Sequence, residues 1–248
     1  MRRKRRDLVI GRKPVHELLE SGDPVEKVFL LKGAKGDSIK LIRDAARNAG
    51  VPTQDVPRPR LDYLHDGNHQ GVVAVTSPIR YYKLSDVLPG IWEKGEAPFI
   101  VLLDGVTDVR NFGAIARTVA GAGAHALVIG ARDAAPANPE AVKASAGTLR
   151  NVIVCREPSI RHAMMQMKDY GIPLYGLAAD GDKTPSGLDL SEPLAWVLGS
   201  EESGISEANL KLLDRKVRLP ISDLAESYNV SVAAGMACYA TMVARDQD

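Results

Sequence analysis

Residues Val197–Tyr239 read VLGSEESGISEANLKLLDRKVRLPISDLAESYNVSVAAGMACY. Two strand-like apolar runs, two glycine- or polar-rich loops and one helix of small residues follow one another there. Polar residues stand where each buried run stops: Gly199, Ser200 and Glu201 after the first, Ser227 and Asn229 before the final helix. In open α/β sheets the strand ends expose backbone donors and acceptors over a rigid platform, and ligands bind there.

The residues upstream give the same alternation. Phe99–Asp104 is a continuous apolar run ending in a carboxylate, the pattern of a buried parallel strand. A helix is expected from Phe112 to Ala122, a strand at Ala126–Ile129, a helix around Pro139–Ala146 and a strand at Val152–Cys155. A helix at Ile160–Tyr170 and strands at Pro173–Ala179 and Leu194–Leu198 follow. The end of the chain reads as helix Ser206–Leu213, strand Val217–Leu219 and helix Val230–Arg245. Strand and helix alternating in this way predict an α/β fold with a parallel sheet covered on both faces.

Residues 8–76 read as a smaller α/β unit. Pro14 lies near a helix start and Gly22 after its end, and Lys27–Leu31 is a short strand. Asp37 or Ser38 is expected to cap a helix with apolar positions Ile39, Ile42, Ala45, Ala46 and Ala49, and Gly71–Thr76 closes the unit as a strand. The proline- and glycine-rich text of 77–98 reads as a linker holding a short helix around Leu84–Leu88. The expected organisation is thus 1–76, linker 77–98 and 99–248.

At 248 residues, 45% hydrophobic and 25% charged, the chain has the composition of an ordinary globular protein with a sizeable core. No apolar run approaches the roughly 18 residues of a membrane span. The basic cluster Arg2–Arg6 has no apolar segment behind it, so a secretory signal is not expected. Cys155 and Cys238 lie far apart in apolar surroundings and read as buried thiols of a cytoplasmic protein. A net charge of +1 argues neither for nor against nucleic acid. The Arg2–Arg6 run suits either phosphate contacts or a solvated tail.

Gly121–Ala126 formally fits G-x-G-x-x-A, but its glycines end a helix and precede a strand, so they read as a helix stop rather than a dinucleotide fingerprint. Asn111 sits at a helix start, as a cap or as a functional group. Arg117 lies six residues on, among small residues, and suits a ligand contact or a surface ion pair. Glu201 and Glu202 suit acid–base work or a solvated loop, and Ser227, Tyr228 and Asn229 suit a capping cluster or a site. His65, His69 and His162 have no metal-ligand spacing, and no metal is expected. There is no G-x-S-x-G elbow and no phosphate-loop lysine. The residues point to a site that positions two ligands rather than one that attacks covalently.

Three ordered segments, DGVTDVRNFGAIART, VLGSEESGIS and RLPISDLAESYNVSVAAG, resemble the motifs of the SpoU branch of the SPOUT RNA methyltransferases. The upstream part, from GRKPVHELLESG to HQGVVAV, resembles the small ribosomal-protein-like substrate-binding domain of members acting on ribosomal RNA. The nearest resemblance is to the subgroup that 2′-O-methylates a guanosine of 23S ribosomal RNA. A transfer-RNA 2′-O-methyltransferase and a non-catalytic RNA-binding assembly factor are the alternatives.

The resemblance implies a parallel sheet with a deep C-terminal trefoil knot, a homodimer formed partly by the first and last helices of the knotted domain, and S-adenosyl-L-methionine as methyl donor. It implies a cofactor site at Gly199, Ser200, Leu219, Ile221 and Tyr228, and an active site of Asn111, Arg117, Glu201, Ser227 and Asn229. Ser200, Glu202 and Tyr228 stand where the family usually has asparagine, glycine and leucine. The reaction implied is displacement of the methyl group by a ribose 2′-oxygen, with Arg117 assisting loss of its proton.

Overall fold

The computed structural model describes residues 8–246. The Arg2–Arg6 cluster lies outside them. The chain divides into two compact units, Met1–Arg80 and Tyr81–Asp248.

In the first unit the elements run β1 (Leu8–Ile10), α1 (Arg12–Glu20), β2 (Val25–Leu31), α2 (Asp37–Asn48), β3 (Thr53–Val56), α3 (Arg58–Leu64) and β4 (Val72–Thr76). The sheet order is β1-β4-β2-β3, with only β2 and β3 parallel. Successive strand residues face opposite sides. Val28, Leu30, Val72 and Ala74 therefore pack with Val15 and Leu19 of α1 and Ile42 and Ala46 of α2. Phe29 and Val73 pack with Leu61 of α3 on the other face.

Helix α3 lies in a stretch to which the sequence reading assigned no element. Pro59 falls in the first turn, where its missing N–H costs nothing. The expected cap of α2 is also corrected. Gly36, at φ 109°, holds the N-cap position and no side chain caps the helix. Asp37 is already helical, and the Ser38 hydroxyl instead accepts from Arg12 Nη1 at 3.0 Å.

The second unit comprises β5 (Tyr81–Tyr82), α4 (Leu84–Glu93), β6 (Phe99–Asp104), α5 (Val109–Gly121), β7 (Ala126–Gly130), α6 (Pro139–Ala144) and β8 (Val154–Glu157). It continues with α7 (Ile160–Asp169), β9 (Leu174–Leu177), β10 (Leu194–Gly199), α8 (Glu207–Leu210), β11 (Arg215–Val217) and α9 (Val230–Arg245). The sheet order is β11-β9-β10-β6-β7-β8-β5, and every pairing is parallel.

A parallel sheet must be covered on both faces. Ile100, Leu102, Val128 and Val197 pack with Leu84 and Leu88 of α4 and Met164 and Met167 of α7. Trp196, one residue from Val197, points the other way, and its indole N–H donates to Thr241 of α9 at 2.9 Å. On the same helix layer Gly113 of α5 sits against α6. A Cβ there would lie 2.6 Å from both the Ala141 carbonyl oxygen and Ala144 Cβ.

The stretch 77–98 differs from the expected linker. Tyr81–Tyr82 pairs with Val154–Cys155, and α4 buries Leu84, Leu88 and Ile91 in the second unit's core. Glu157 Oε1 accepts from the first helical N–H, that of Leu84, at 2.7 Å. The helix expected around Leu84–Leu88 is present and runs on to Glu93: Pro89 lies inside it, held by the apolar stripe around it. At the other end of the chain the expected helix 206–213 shortens to α8. The last strand moves to Arg215–Val217, because Arg218 leaves the ladder and its N–H donates to the Lys183 carbonyl at 2.8 Å.

Strands β6, β7 and β8 step outward in one direction, and the chain then crosses to β9 on the opposite side of β6. Strand β10 fills the place between β9 and β6, and β11 passes β9 to the edge. The direction of winding reverses at β6 and β10, whose last residues, Asp104 and Gly199, are paired. A ligand site is expected in the crevice at such a reversal.

Candidate active site

The two central strand ends are tied together first. Asp104 Oδ2 accepts from both the backbone N–H and the hydroxyl of Ser206, each at 2.8 Å. Ser206, at the N-cap position of α8, does not cap it with its side chain; it anchors α8 to β6. Between them the hairpin Ser200–Gly204 closes on itself, with Ser200 N–H to Gly204 O and Gly204 N–H to Ser200 O, both 3.0 Å. Gly199 is required for this fold-back: a Cβ there would overlap the backbone of Gly204 and Ile205. The hairpin presents Glu201 and Glu202 at its tip, both exposed.

Helix α5 begins at the end of β6. The sequence left Asn111 open as a cap or a functional group; the cap is Asp108, whose carboxylate accepts from the N–H groups of Arg110 and Asn111 at 2.9 and 2.8 Å. Asp108 takes the orphan donors of the first turn, and this leaves the Asn111 side chain available. It is used at once: Asn229 Nδ2 donates to Asn111 Oδ1 at 3.1 Å and also to Glu201 Oε1. The other end of the Asn229 amide caps α9, with Oδ1 accepting from the Ser231 N–H at 2.9 Å and the Ser231 hydroxyl at 2.6 Å. One side chain thus joins α5, the hairpin after β10 and the start of α9.

The remaining expected residues do not enter that node. Ser227 is exposed and makes no hydrogen bond among the described residues. The Tyr228 hydroxyl donates to the Pro220 carbonyl at 2.9 Å, closing the loop between β11 and α9. Arg117 is exposed and makes no hydrogen bond or ion pair among the described residues. Six residues of helix turn it about 120° from Asn111. It shares instead the face of Gly113, four residues earlier. Glu202 also stays outside the node. Ser231, Asp108 and the Asp104–Ser206 link were not singled out from sequence; the serine two residues after a capping asparagine was the available signal for the first.

The loop from Leu219 to Tyr228 suits a ligand recognised through the main chain. Among the described residues, the backbone N–H groups of Leu219, Ile221 and Tyr228 make no hydrogen bond. All three residues are partly or fully exposed, so these donors face solvent and are open to a ligand's acceptors. Gly199 ends β10 and Ser200 follows it.

Neither cysteine belongs to the chemistry. Burial pushes the Cys155 thiol up to about 12, with Glu157 and Asp86 adding to the shift, and burial alone does the same for Cys238. Both stay protonated, and the thiol is a poor nucleophile. Among the described residues no group of histidine, cysteine or carboxylate side chains could hold a metal, and no helix is long and apolar enough to cross a membrane.

Fold and polar node together mark an α/β protein with a candidate ligand site at the carboxyl ends of its central parallel strands, where polar side chains lie near main-chain donors open to solvent. Comparison with known proteins narrows this class. The model of the SpoU rRNA Methylase family matches residues 98–239, and that of the RNA 2′-O ribose methyltransferase substrate-binding domain matches residues 8–82. The chain belongs to the SpoU methylase family and is an S-adenosylmethionine-dependent RNA methyltransferase.

A protein of Bacillus subtilis named as a TrmH family tRNA/rRNA methyltransferase, YacO, is 34% identical over 233 residues, covering 94% of each chain. One of Mycolicibacterium vanbaalenii, named as a tRNA/rRNA methyltransferase, is 35% identical over 93% of this chain and 74% of its own. Among solved structures, the SpoU methyltransferase AviRb of Streptomyces viridochromogenes, in complex with AdoMet, aligns with a TM-score of 0.61. It is 27% identical, over 96% of this chain and 90% of that one. An rRNA methyltransferase of Sinorhizobium meliloti shares the fold at a TM-score of 0.61 and 21% identity, over 95% of this chain and 86% of that one.

Proposed function

We propose that this enzyme methylates a ribose 2′-hydroxyl in RNA and that its target is a guanosine of 23S ribosomal RNA. The observation that carries the reading is the node in which Asn229 joins Asn111 and Glu201, near a loop with main-chain donors open to solvent. S-adenosylmethionine, when bound, supplies an activated methyl group. Gly199, Ser200, Leu219, Ile221 and Tyr228 are the residues that would hold it, mainly through the backbone.

The acceptor hydroxyl belongs to the RNA, so the chain needs no nucleophile of its own, in keeping with its two inert thiols. What the protein contributes is alignment, worth several kcal/mol when the reacting atoms are held in line. Asn111, Glu201 and Asn229 form the polar wall that orients the ribose, and Ser227 flanks it on the same loop as Asn229. Among the described residues, Arg117 of α5 makes no hydrogen bond or ion pair. A guanidinium stays protonated, so its role is to hold the ribose and its phosphate and to lower the hydroxyl's pKa with its charge.

The same reading has the C-terminal segment thread a trefoil knot, supported by the passage of the chain from β10 past β9 to the sheet edge. It has the enzyme act as a homodimer. Val232, Met236, Tyr239 and Met242 form an exposed apolar stripe along α9, recurring at helical spacing, and this supports that state.

The test is to incubate the protein with tritiated cofactor and separate pools of ribosomal and transfer RNA, then to map the labelled nucleotide. 2′-O-methylguanosine in 23S RNA is expected. Label confined to transfer RNA would replace the substrate, and label on a base would overturn the ribose assignment.

A further inference from the structure

We propose that the cavity between the β1–α1 turn and the α3–β4 loop of the first unit binds one unpaired nucleotide of the RNA substrate. Its two arginines take the phosphate and its free amides take the base edge. The proposal deepens the RNA-methyltransferase reading and rests on it.

The cavity has a volume of about 500 Å³, within the range of small-molecule pockets. Arg12 and Arg58 line it together with the loop Gly67–Gly71, and no carboxylate does. The lining charge is therefore positive.

Both the loop and Arg12 are held in place. His69 is buried, and its Nδ1 accepts from the Gly71 N–H at 2.9 Å, so the ring carries its proton on Nε2 and donates it to Asp62 at 2.9 Å. Gln70 takes a positive φ of 51°, a conformation that costs a non-glycine residue on the order of 1–2 kcal/mol. Arg12 secures it: its N–H donates to Gln70 Oε1 and its Nε to the Gln70 carbonyl, both at 3.2 Å, while Nη1 reaches Ser38 at 3.0 Å.

A tight turn alone does not need this arrangement, because glycine at position 70 would remove the strain. What the arrangement achieves is to leave donors facing the cavity. Arg12 Nη2, Asn68 Nδ2 and Gln70 Nε2 make no hydrogen bond among the described residues, and Arg58 has only a 3.8 Å ion pair with Asp62. The Arg12 guanidinium, held by Gln70 and Ser38, and the exposed Arg58 guanidinium beside it in the lining suit a phosphate. Amide donors suit the acceptors on a base edge, which a protein reaches in RNA where the base is unpaired. Tyr63, exposed one turn along α3 with the Arg60 guanidinium 5.8 Å from its ring centre, offers a surface on which a neighbouring base can stack.

The test uses the full chain and a transcript of 23S ribosomal RNA. Binding is measured against salt for the wild type and for Arg58→Ala, Asn68→Ala and Arg58→Lys. Both residues are exposed, and because Asn68 Oδ1 also accepts from the Gln70 N–H at 3.3 Å, the urea midpoint and circular dichroism of each variant serve as the check that the first unit folds.

Arg58→Ala is expected to weaken RNA binding about tenfold and to reduce the salt slope by about 0.7, one phosphate contact on a single strand. Asn68→Ala is expected to weaken binding with the slope unchanged, and Arg58→Lys to restore the slope. Lys40→Ala, which removes an exposed charge of α2 away from the cavity, should change affinity less than twofold. Guanosine monophosphate at millimolar concentration should compete only weakly; full competition would reassign the cavity to a free nucleotide. Unchanged affinity and slope in Arg58→Ala and Asn68→Ala, with the wild type still methylating RNA, overturns this site alone. Absence of methyl transfer from the wild type to any RNA overturns the ribose reading instead.

Discussion

The Asn229 side chain donates to Asn111 Oδ1 at 3.1 Å across 118 residues of chain, while its own oxygen caps the helix that begins at Val230. The amide has two ends and both are used, so its orientation is fixed by what each partner can accept or donate. The nitrogen must face Asn111 and the Glu201 carboxylate, and the oxygen must face the Ser231 N–H and hydroxyl. Structure and proposed chemistry meet in one residue, which lets substitution separate them.

Asn229→Ala should lose both functions. Removing the cap costs about 1 kcal/mol of stability, and methyl transfer falls on the order of 10²-fold as the ribose wall loses its joint. Asn229→Asp keeps an oxygen for the cap but sets a second carboxylate against Glu201. Its urea midpoint should stay near that of the wild type while activity drops as far as in Asn229→Ala. Equal activity in Asp and wild type would remove Asn229 from the site.

Arg117→Ala should leave stability within about 0.5 kcal/mol, because the guanidinium has no partner among the described residues. Cofactor binding by calorimetry should be retained and methyl transfer lost by on the order of 10²-fold or more. Arg117→Lys should rescue poorly, since lysine lacks the planar fork that grips a phosphate and a ribose together. A fully active Arg117→Ala protein that still binds RNA would withdraw the assignment.

The site residues were legible in the sequence to different depths, and the reason is which interactions are local. Asn229 showed as a helix cap because capping is decided within three residues. Its bond to Asn111 runs between distant segments, so only the family resemblance pointed to it. Asn111 itself read as a cap or a functional group, and Asp108, three residues earlier, held the capping place unnoticed. The parallel sheet was readable because its strands are buried on both faces and written as unbroken apolar runs such as Phe99–Leu103. Proline limited one reading: the helix expected around Leu84–Leu88 continues through Pro89 to Glu93, held by its packing. The strained Gln70 gave no sequence signal, since any residue type there would look like a loop.

Two glycines that look alike in sequence should respond oppositely to alanine. Gly199→Ala forces a Cβ into the Gly204 and Ile205 backbone, which cannot yield as a side chain can, and should cost about 3 kcal/mol with loss of cofactor binding. At Gly235, within α9, a Cβ meets nothing within 4 Å. Gly235→Ala should therefore gain up to about 1 kcal/mol from helix propensity in the isolated protomer. In the proposed dimer the same methyl group stands beside the apolar stripe of α9, where a second backbone would approach. Sedimentation should show weaker association. A neutral Gly199→Ala would dismiss the overlap, and unchanged association in Gly235→Ala would move the subunit contact elsewhere.

The two thiols make stability fall in alkali. In the unfolded chain a cysteine ionises near its ordinary value, about 8.5–9; in the folded protein burial pushes Cys155 and Cys238 up to about 12. Each acid is thus raised on folding, so above pH 9 the unfolded state gives up its protons while the folded state keeps them. Stability from this source is complete below pH 9. It declines between about pH 9 and 12, by roughly 1.4 kcal/mol per pH unit for each thiol. Urea midpoints at pH 7, 9 and 10.5 measure it, and Cys155→Ala and Cys238→Ala should each flatten the decline although the alanine proteins start less stable. In the folded wild type at pH 8 neither thiol should react with a disulfide reagent, and both should react after denaturation. If the alanine variants lose stability with pH as steeply as the wild type, the thiols are not its source.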